Sequence, residues 1–337
     1  MISIKKLVLT TLLLISVPTI NIFAQGSGNK YAGEFLAIGV GGRPLGMGGA
    51  FVALANDVTA GYWNPALLSK INYPQISLMH DARFSNLVNY DYGSVGIPFG
   101  KNASLGISII RMGIDDIPDT RNALINDGTG NLRLDNDLIT RFSTTDYAFF
   151  LTYSRKQNEK LSYGANFKVI RRNIAEESAW GLGFDVGVAY NPFSRFMLGA
   201  NLMDITTTYL SWTTGKKELI TPTAKIGTAY MIDFFKGTIT PALDFDVRFE
   251  NRRSASNYNI GPVSFDMHAG LEYSFQNLFA IRAGYNELGN LTLGAGVKLP
   301  KLNIDYSFVK FDNVEALGNT HRISLVFTLE EDKYMRK

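Results

Sequence analysis

Three histidines, His80, His268 and His321, are the side chains of this 337-residue sequence best suited to move a proton near neutral pH. His80 is followed directly by Asp81, but neighbours on an extended strand point to opposite faces, so the two make no acid–base dyad. His268 lies two positions after Asp266 and shares its face, which gives a histidine–carboxylate contact with no nucleophile beside it. Catalysis needs a nucleophile, a base and an orienting group in one constellation, and the sequence offers none. The chain has no cysteine, which removes disulfides and thiolate metal sites. Nor does any spacing of His, Asp and Glu match a metal centre. The expectation is a non-enzyme with no cofactor and no metal.

The chemistry that remains is electrostatic. Lys168, Arg172, Lys225, Arg248, Arg282, Lys298 and Arg322 stand against Asp185, Asp244, Asp246, Asp266, Glu272 and Asp305, signs mixed throughout. Buried charges need partners. This set reads as an internal ion-pair network that braces a wall, with a lining for a solute path as the other reading.

Strands must carry these residues. In "LDFDVRFE", Leu243, Phe245, Val247 and Phe249 face one way while Asp244, Asp246, Arg248 and Glu250 face the other. "VSFDMHAGLEYSF" repeats the pattern, with Val263, Phe265, Met267, Leu271 and Tyr273 opposite Asp266, His268 and Glu272. From Gln75 onward, segments of about ten residues alternate in this way, the length and period of tilted membrane strands. A soluble sandwich would alternate too; the connections separate the two. Fourteen segments are counted, and every second connection is tight, as at "GKN", "QNE" and "LPK". The long ones, Asp115 to Thr144, Ile205 to Ile220 and Glu250 to Gly261, all fall on the other rim. Short turns on one side and long loops on the other are the outer-membrane pattern. Trp180, Tyr190, Tyr153, Phe196, Tyr273, Phe279, Tyr285 and Phe327 cluster toward strand ends as interfacial girdles do. The fold class predicted is all-β, a fourteen-stranded antiparallel transmembrane barrel over residues 75–329.

Residues 1–24 read as an export signal: Lys5 and Lys6 precede the apolar run Leu7 to Val17, and Ala24 sits before a cut at Gln25. Pro18 and Asn21 hold that run below the ~18 residues of a membrane span. Its removal takes two lysines from a formal charge of +3, leaving no basic footprint for nucleic acid. The expected location is the outer membrane of a Gram-negative bacterium, multi-pass, with membrane lipid as the first partner. Residues 330–337, "EEDKYMRK", read as a solvated periplasmic tail.

Residues 25–74 do not alternate. Neither Gly39-Val40-Gly41 nor Gly46-Met47-Gly48 completes a dinucleotide fingerprint, and no strand precedes them. Asn64 and Pro65 read as a helix start, the first as cap and the second in the initial turn. A fourteen-stranded barrel is too wide for side chains alone to fill, so this stretch is predicted to be a helical hatch inside the lumen.

"GGRPLGMGGAFVALANDVTAGYWNPALLS" resembles the N-terminal signature of the PorV/PorQ family, relatives of the FadL-type long-chain fatty-acid channels. Gly46, Met47, Gly48, Gly49, Ala50, Asp57, Trp63, Asn64, Pro65 and Ala66 match in order. Leu67 stands where glycine is usual, and Asn56 where an acid is frequent. The resemblance implies two roles. PorV-type barrels serve the type IX secretion system: they receive secreted proteins by a C-terminal signal domain at the outer rim and pass them to other secretion-system components. FadL-type channels pass hydrophobic small-molecule ligands through a kinked wall strand beside a hatch bearing the Asn-Pro-Ala motif. The first is the main expectation, with Ile117, Leu124, Ile125, Leu132 and Leu134 of the long outer loop as candidate cargo-docking anchors; uptake of fatty acids or other hydrophobic molecules is the alternative.

Overall fold

The computed structural model describes residues 33–84, 86–126, 132–249, 252, 255–310 and 319–336. The predicted export signal lies outside these residues. Fourteen strands form the wall: β1 (Gln75–Arg83), β2 (Val88–Phe99), β3 (Ala103–Asp119), β4 (Thr140–Lys156), β5 (Leu161–Ile174), β6 (Glu177–Phe193) and β7 (Phe196–Met203). They continue as β8 (Thr223–Tyr230), β9 (Gly237–Arg248), β10 (Val263–Phe275), β11 (Phe279–Tyr285), β12 (Leu291–Leu299), β13 (Leu302–Val309) and β14 (Thr320–Thr328). Each pairs antiparallel with its sequence neighbour, and β14 closes on β1 with Gln75 opposite Thr328 and Ala82 opposite His321. Closure leaves no free edge, the condition for crossing lipid with strands.

Alternation makes the wall two-faced. Ile76, Leu78, Val95, Ile97, Ile107, Leu151, Leu182, Ile226, Leu271, Ile281 and Leu293 are exposed on the outside, while the positions between them are buried. An outer skin of this kind is stable against acyl chains and unstable against water. Among the described residues no helix is long and apolar enough to cross a membrane; the crossing is made by strands.

The loop expected from Asp115 to Thr144 is shorter than its sequence suggests. β3 and β4 stay paired up to Asp119 opposite Thr140, across a bulge between Ile114 and Ile117. Beyond them, 124–126 and 132–134 form a small separate hairpin. Ile117 is therefore a ladder residue opposite Phe142.

Residues 33–74 run through the barrel interior in short helical turns: 3-10 turns at Glu34–Ala37 and Pro65–Lys70, and single α-turns at Gly42–Gly46 and Ala60–Trp63. Phe51, Trp63, Leu67, Leu68 and Met47 are among its fully or almost fully buried side chains. The apolar stretch from Gly48 to Leu54 makes turns and no helix.

Candidate functional site

The lumen is built by docking this N-terminal segment onto the inner wall, and the docking residues are those of the glycine-rich and Asn-Pro-Ala motifs. Asn64 caps the Pro65–Lys70 turn by accepting from the Ala66 N–H at 3.1 Å. Its amide also donates to the carbonyls of Val52 (3.0 Å) and of Val188 in β6 (3.1 Å). One side chain thus starts a helix, ties two parts of the segment together and fixes both to the wall. Trp63 donates from Nε1 to the Val40 carbonyl at 2.9 Å, and the Ala66 carbonyl accepts from Ser154 of β4 at 2.7 Å. Asp57 accepts from the Thr59 N–H at 2.8 Å, which shapes the turn before Ala60. On the opposite wall Gly46 lies against Gly294, and the backbone at Met47 and Gly48 lies against Gly270 and Gly284. At Gly284 a Cβ would stand 2.2 Å from the Gly48 nitrogen, and Gly48 itself has φ of +67°. Close approach and a left-handed backbone both demand glycine there. Gly49 has φ of +87°, and a Cβ there would meet the His268 ring.

The charged residues read from sequence form separate inward groups, except Lys298, which is exposed at the end of β12 and donates to Asn277 at 3.2 Å. Lys168 is fully buried between Asp185 and Asp204, each 2.8 Å from Nζ. Arg172 pairs with Asp146 at 2.9 Å. Lys225 meets Asp246, while Arg248 and Arg252 meet Asp266 at 3.1 and 2.8 Å. Arg282 joins Glu272 (2.6 Å) and Asp305 (2.8 Å), and Arg322 joins Asp81 (2.7 Å). Asp244 serves the segment instead, accepting from the N–H groups of Phe51 (2.6 Å) and Val52 (2.8 Å). Arg43, from the segment, reaches Glu272 at 2.8 Å. Burial works against the Arg43 charge, but the Glu272 carboxylate outweighs it and raises its pKa. His268 contacts the Gly48 carbonyl (2.8 Å), Asp246 (3.5 Å) and Glu287 (3.4 Å), so its partners come from across the ladder and from the segment. His80 points outward and Asp81 inward, as the strand period requires. Among the described residues no group of His, Cys, Asp and Glu is arranged to hold a metal.

An apolar cluster runs between these charged groups, and on the β4–β6 wall it lies beside the Lys168–Asp185–Asp204 and Arg172–Asp146 groups. Tyr90, Ile110, Ala148, Phe150, Ile170, Ala179 and Leu210 on the β2–β6 side join Phe35, Leu36, Tyr62 and Trp63 of the segment in one buried cluster. The cluster continues through Leu67, Leu68 and Ile71 toward the periplasmic rim. Beside it the wall has a seam. β7 pairs with β6 from Tyr190 opposite Leu198 up to Val186 opposite Leu202. It then leaves the wall at Asp204 and Thr207, which have φ of +53° and +55°. A strand at Thr208–Trp212 takes up the edge of β6 again only at Gly181. The Lys168 trio sits at this seam, with Thr208 Oγ1 donating to Asp204 (2.7 Å) and the Ile205 N–H bridging to the Phe184 carbonyl (2.9 Å). Leu182, Phe184 and Ile205 face outward there. A cavity of about 60 Å³, lined by Leu36, Ala37, Met203, Asp204, Ile220 and Lys225 among others, opens beside the seam.

Two functional features were missed from the sequence. The seam carries no sequence mark beyond Asp204 and Gly183. The tail is a clamp: Arg336 donates to the carbonyls of Ile71 (2.6 Å), Ser69 (3.1 Å) and Ala103 (2.6 Å) and to Ser104 Oγ (2.7 Å), joining the segment to the β2–β3 turn. In the outer loop, Leu124, Leu132 and Leu134 are exposed and Ile125 is half-buried.

No family model matches the chain, and no curated protein matches it. Solved structures do. The toluene transporter TbuX of Ralstonia pickettii aligns with a TM-score of 0.60 at 13% identity, over 86% of this chain and 98% of that one. The toluene transporter TodX of P. putida gives 0.59 at 12%, over 87% and 99%. A FadL homologue of Pseudomonas aeruginosa gives 0.57 at 12%, over 86% and 98%. At these identities the likeness is one of fold: a fourteen-stranded barrel like that of the hydrocarbon channels, multi-pass in an outer membrane. It overturns the expectation of a secretion-system component. The proteins that share the fold are named as transporters and channels, and nothing in the comparisons supports the PorV/PorQ assignment.

Proposed function

We propose that this chain is a non-catalytic channel that takes small, neutral hydrophobic molecules into the outer membrane. The carrying observation is the continuous buried apolar cluster along the β2–β6 side of the lumen, with the β6–β7 seam beside it. In this reading the N-terminal segment is a plug that keeps water and polar solutes out. A hydrophobic molecule enters from the outer rim, displaces apolar contacts against Tyr62, Phe150 and Leu210, and leaves sideways at the seam.

A neutral ligand is favoured over a fatty acid by the charge pattern. Lys168, Arg172, Lys225, Arg248, Arg282 and Arg322 each already face a carboxylate. At each of these six positions a ligand carboxylate would have to displace the resident acid and leave it unpaired, which costs more than the new pair returns. The names of TbuX and TodX, toluene transporters, agree with this direction. The test is uptake of radiolabelled toluene and of a labelled long-chain fatty acid by cells with and without the protein. Faster toluene entry that requires the protein supports the reading. Uptake of both compounds unchanged by its loss contradicts it.

A further inference from the structure

The outward face of the barrel carries a row of polar side chains that channel function does not need. His80 of β1, Asp91 of β2, Arg111 of β3 and Tyr147 of β4 stand directly opposite one another in successive ladders. Asp91 joins its neighbours, with His80 Nδ1 at 2.7 Å and Arg111 Nη1 at 3.3 Å. Arg171 of β5 continues the row, its guanidinium 4.5 Å from the centre of the Trp180 ring. These side chains remain half-exposed or exposed on a face that is otherwise lipid-facing and apolar.

Their height is informative. Asp91 and Arg111 lie roughly eight residues above the periplasmic ends of their strands at Phe99 and Ala103, and about ten tilted residues span the hydrocarbon layer. The row thus meets the outer leaflet near its headgroups, where charge on a barrel's lipid face is tolerated, and not the midplane, where it is costly. Below the row the wall is grooved. A shallow depression of about 590 Å³ runs between Leu78 and Ile109, with Leu325 and Ile323 on one flank and the polar row at its upper end. Its floor is Gly93, where an added Cβ would find Ile109 at 3.5 Å and Leu78 at 3.8 Å, so the missing side chain is what makes the groove.

We propose that this groove is a lipid site: one acyl chain lies over Gly93, and an anionic, phosphate-bearing headgroup of the outer leaflet is held by Arg111 and His80. Charge complementarity chooses the headgroup. Arg111 and Arg171 outnumber the single carboxylate of Asp91 along the row, and Asp91 orients Arg111 without exhausting its donors. The depth of the row and its apolar groove choose a membrane lipid over a soluble anion.

The experiment reconstitutes the full chain in nanodiscs of mixed phosphatidylglycerol and phosphatidylcholine with identical acyl chains, then counts lipids retained after extraction by native mass spectrometry. The wild type is expected to keep one phosphatidylglycerol at several-fold excess over phosphatidylcholine. Arg111→Gln should erase that preference, and Gly93→Leu should reduce retention of both lipids. Both variants alter only the outer skin, and heat-modifiable migration verifies the folded barrel. Equal retention of the two lipids by the wild type, an unchanged preference in Arg111→Gln, or a polypeptide occupying the site in place of lipid would each overturn the assignment. Toluene uptake is read separately, so failure of the lipid site leaves the channel reading standing.

Discussion

Replacing Lys168 by methionine is the most searching perturbation of this barrel, because one buried ammonium holds the β6–β7 seam. Nζ lies 2.8 Å from both Asp185 and Asp204, and all three residues are buried. Removing it leaves two carboxylates facing each other in a dry interior. Breaking a buried pair in this way costs about 3–5 kcal/mol, whereas loss of an exposed pair costs about 0–1 kcal/mol. The same aspartates position the turn: the Asp204 N–H donates to Asp185 at 2.9 Å, and Thr208 donates to Asp204. Lys168→Met should therefore lower the urea midpoint in detergent micelles by an amount equal to several kcal/mol. It should also speed amide exchange at Ile205, whose N–H bridges the seam. Adding Asp185→Asn and Asp204→Asn to Lys168→Met should restore most of the loss, since a neutral trio has no uncompensated charge. A single variant that costs less than about 1 kcal/mol, with exchange at Ile205 unchanged, would refute the picture of a dry, ion-pinned seam.

Three further expectations follow from the plug. Gly187→Leu places its Cβ 2.2 Å from Asn64 Oδ1; the overpacking costs about 1–3 kcal/mol and should displace the plug, visible as larger single-channel conductance in planar bilayers. Arg336→Met removes the clamp between the segment and the β2–β3 turn; a loss of about 2 kcal/mol and faster proteolysis near residues 69–72 are expected, and an unchanged digest would count against a clamp. Burial pushes the Lys70 ammonium down to about 8 from its ordinary 10.5. Because the folded pKa is the lower one, the unfolded chain binds more protons between pH 8 and 10.5, and stability should rise with pH across that window. Lys70→Met should flatten that rise, and a slope unaffected by the substitution would contradict the assignment.

Most of the wall was legible because a barrel in lipid must alternate. Strands such as "LDFDVRFE" show their two faces in the residues themselves. β3 and β4 were cut short because, past Ile114, Asp115 and Asp116 break the apolar face while the ladder continues into the outer medium. The inward charges could be read, but not who pairs with whom. Arg43 reaches Glu272 from the plug, and His268 turns to Asp246 and Gly48 instead of its sequence neighbour Asp266. The wall glycines carried an unread signal: Gly187, Gly199, Gly270 and Gly284 occupy inward positions, each where the plug backbone or Asn64 comes within a Cβ's reach. The Asn-Pro-Ala motif was legible as a cap, and its second role, donation to Val188 in β6, depends on a contact 124 residues away. The functional expectation went astray because a plug motif describes how a lumen is filled and says little about what passes through it.

The most direct measurement is photolabelling of the folded barrel with a neutral, diazirine-bearing aromatic probe, followed by peptide mapping. The account predicts adducts on the apolar cluster, at Phe150, Ile170, Leu210 or Tyr62 and at the seam near Phe184, all competed away by excess toluene. Adducts confined to the outer skin, or spread over the β8–β13 wall and indifferent to toluene, would contradict a hydrophobic path through this lumen.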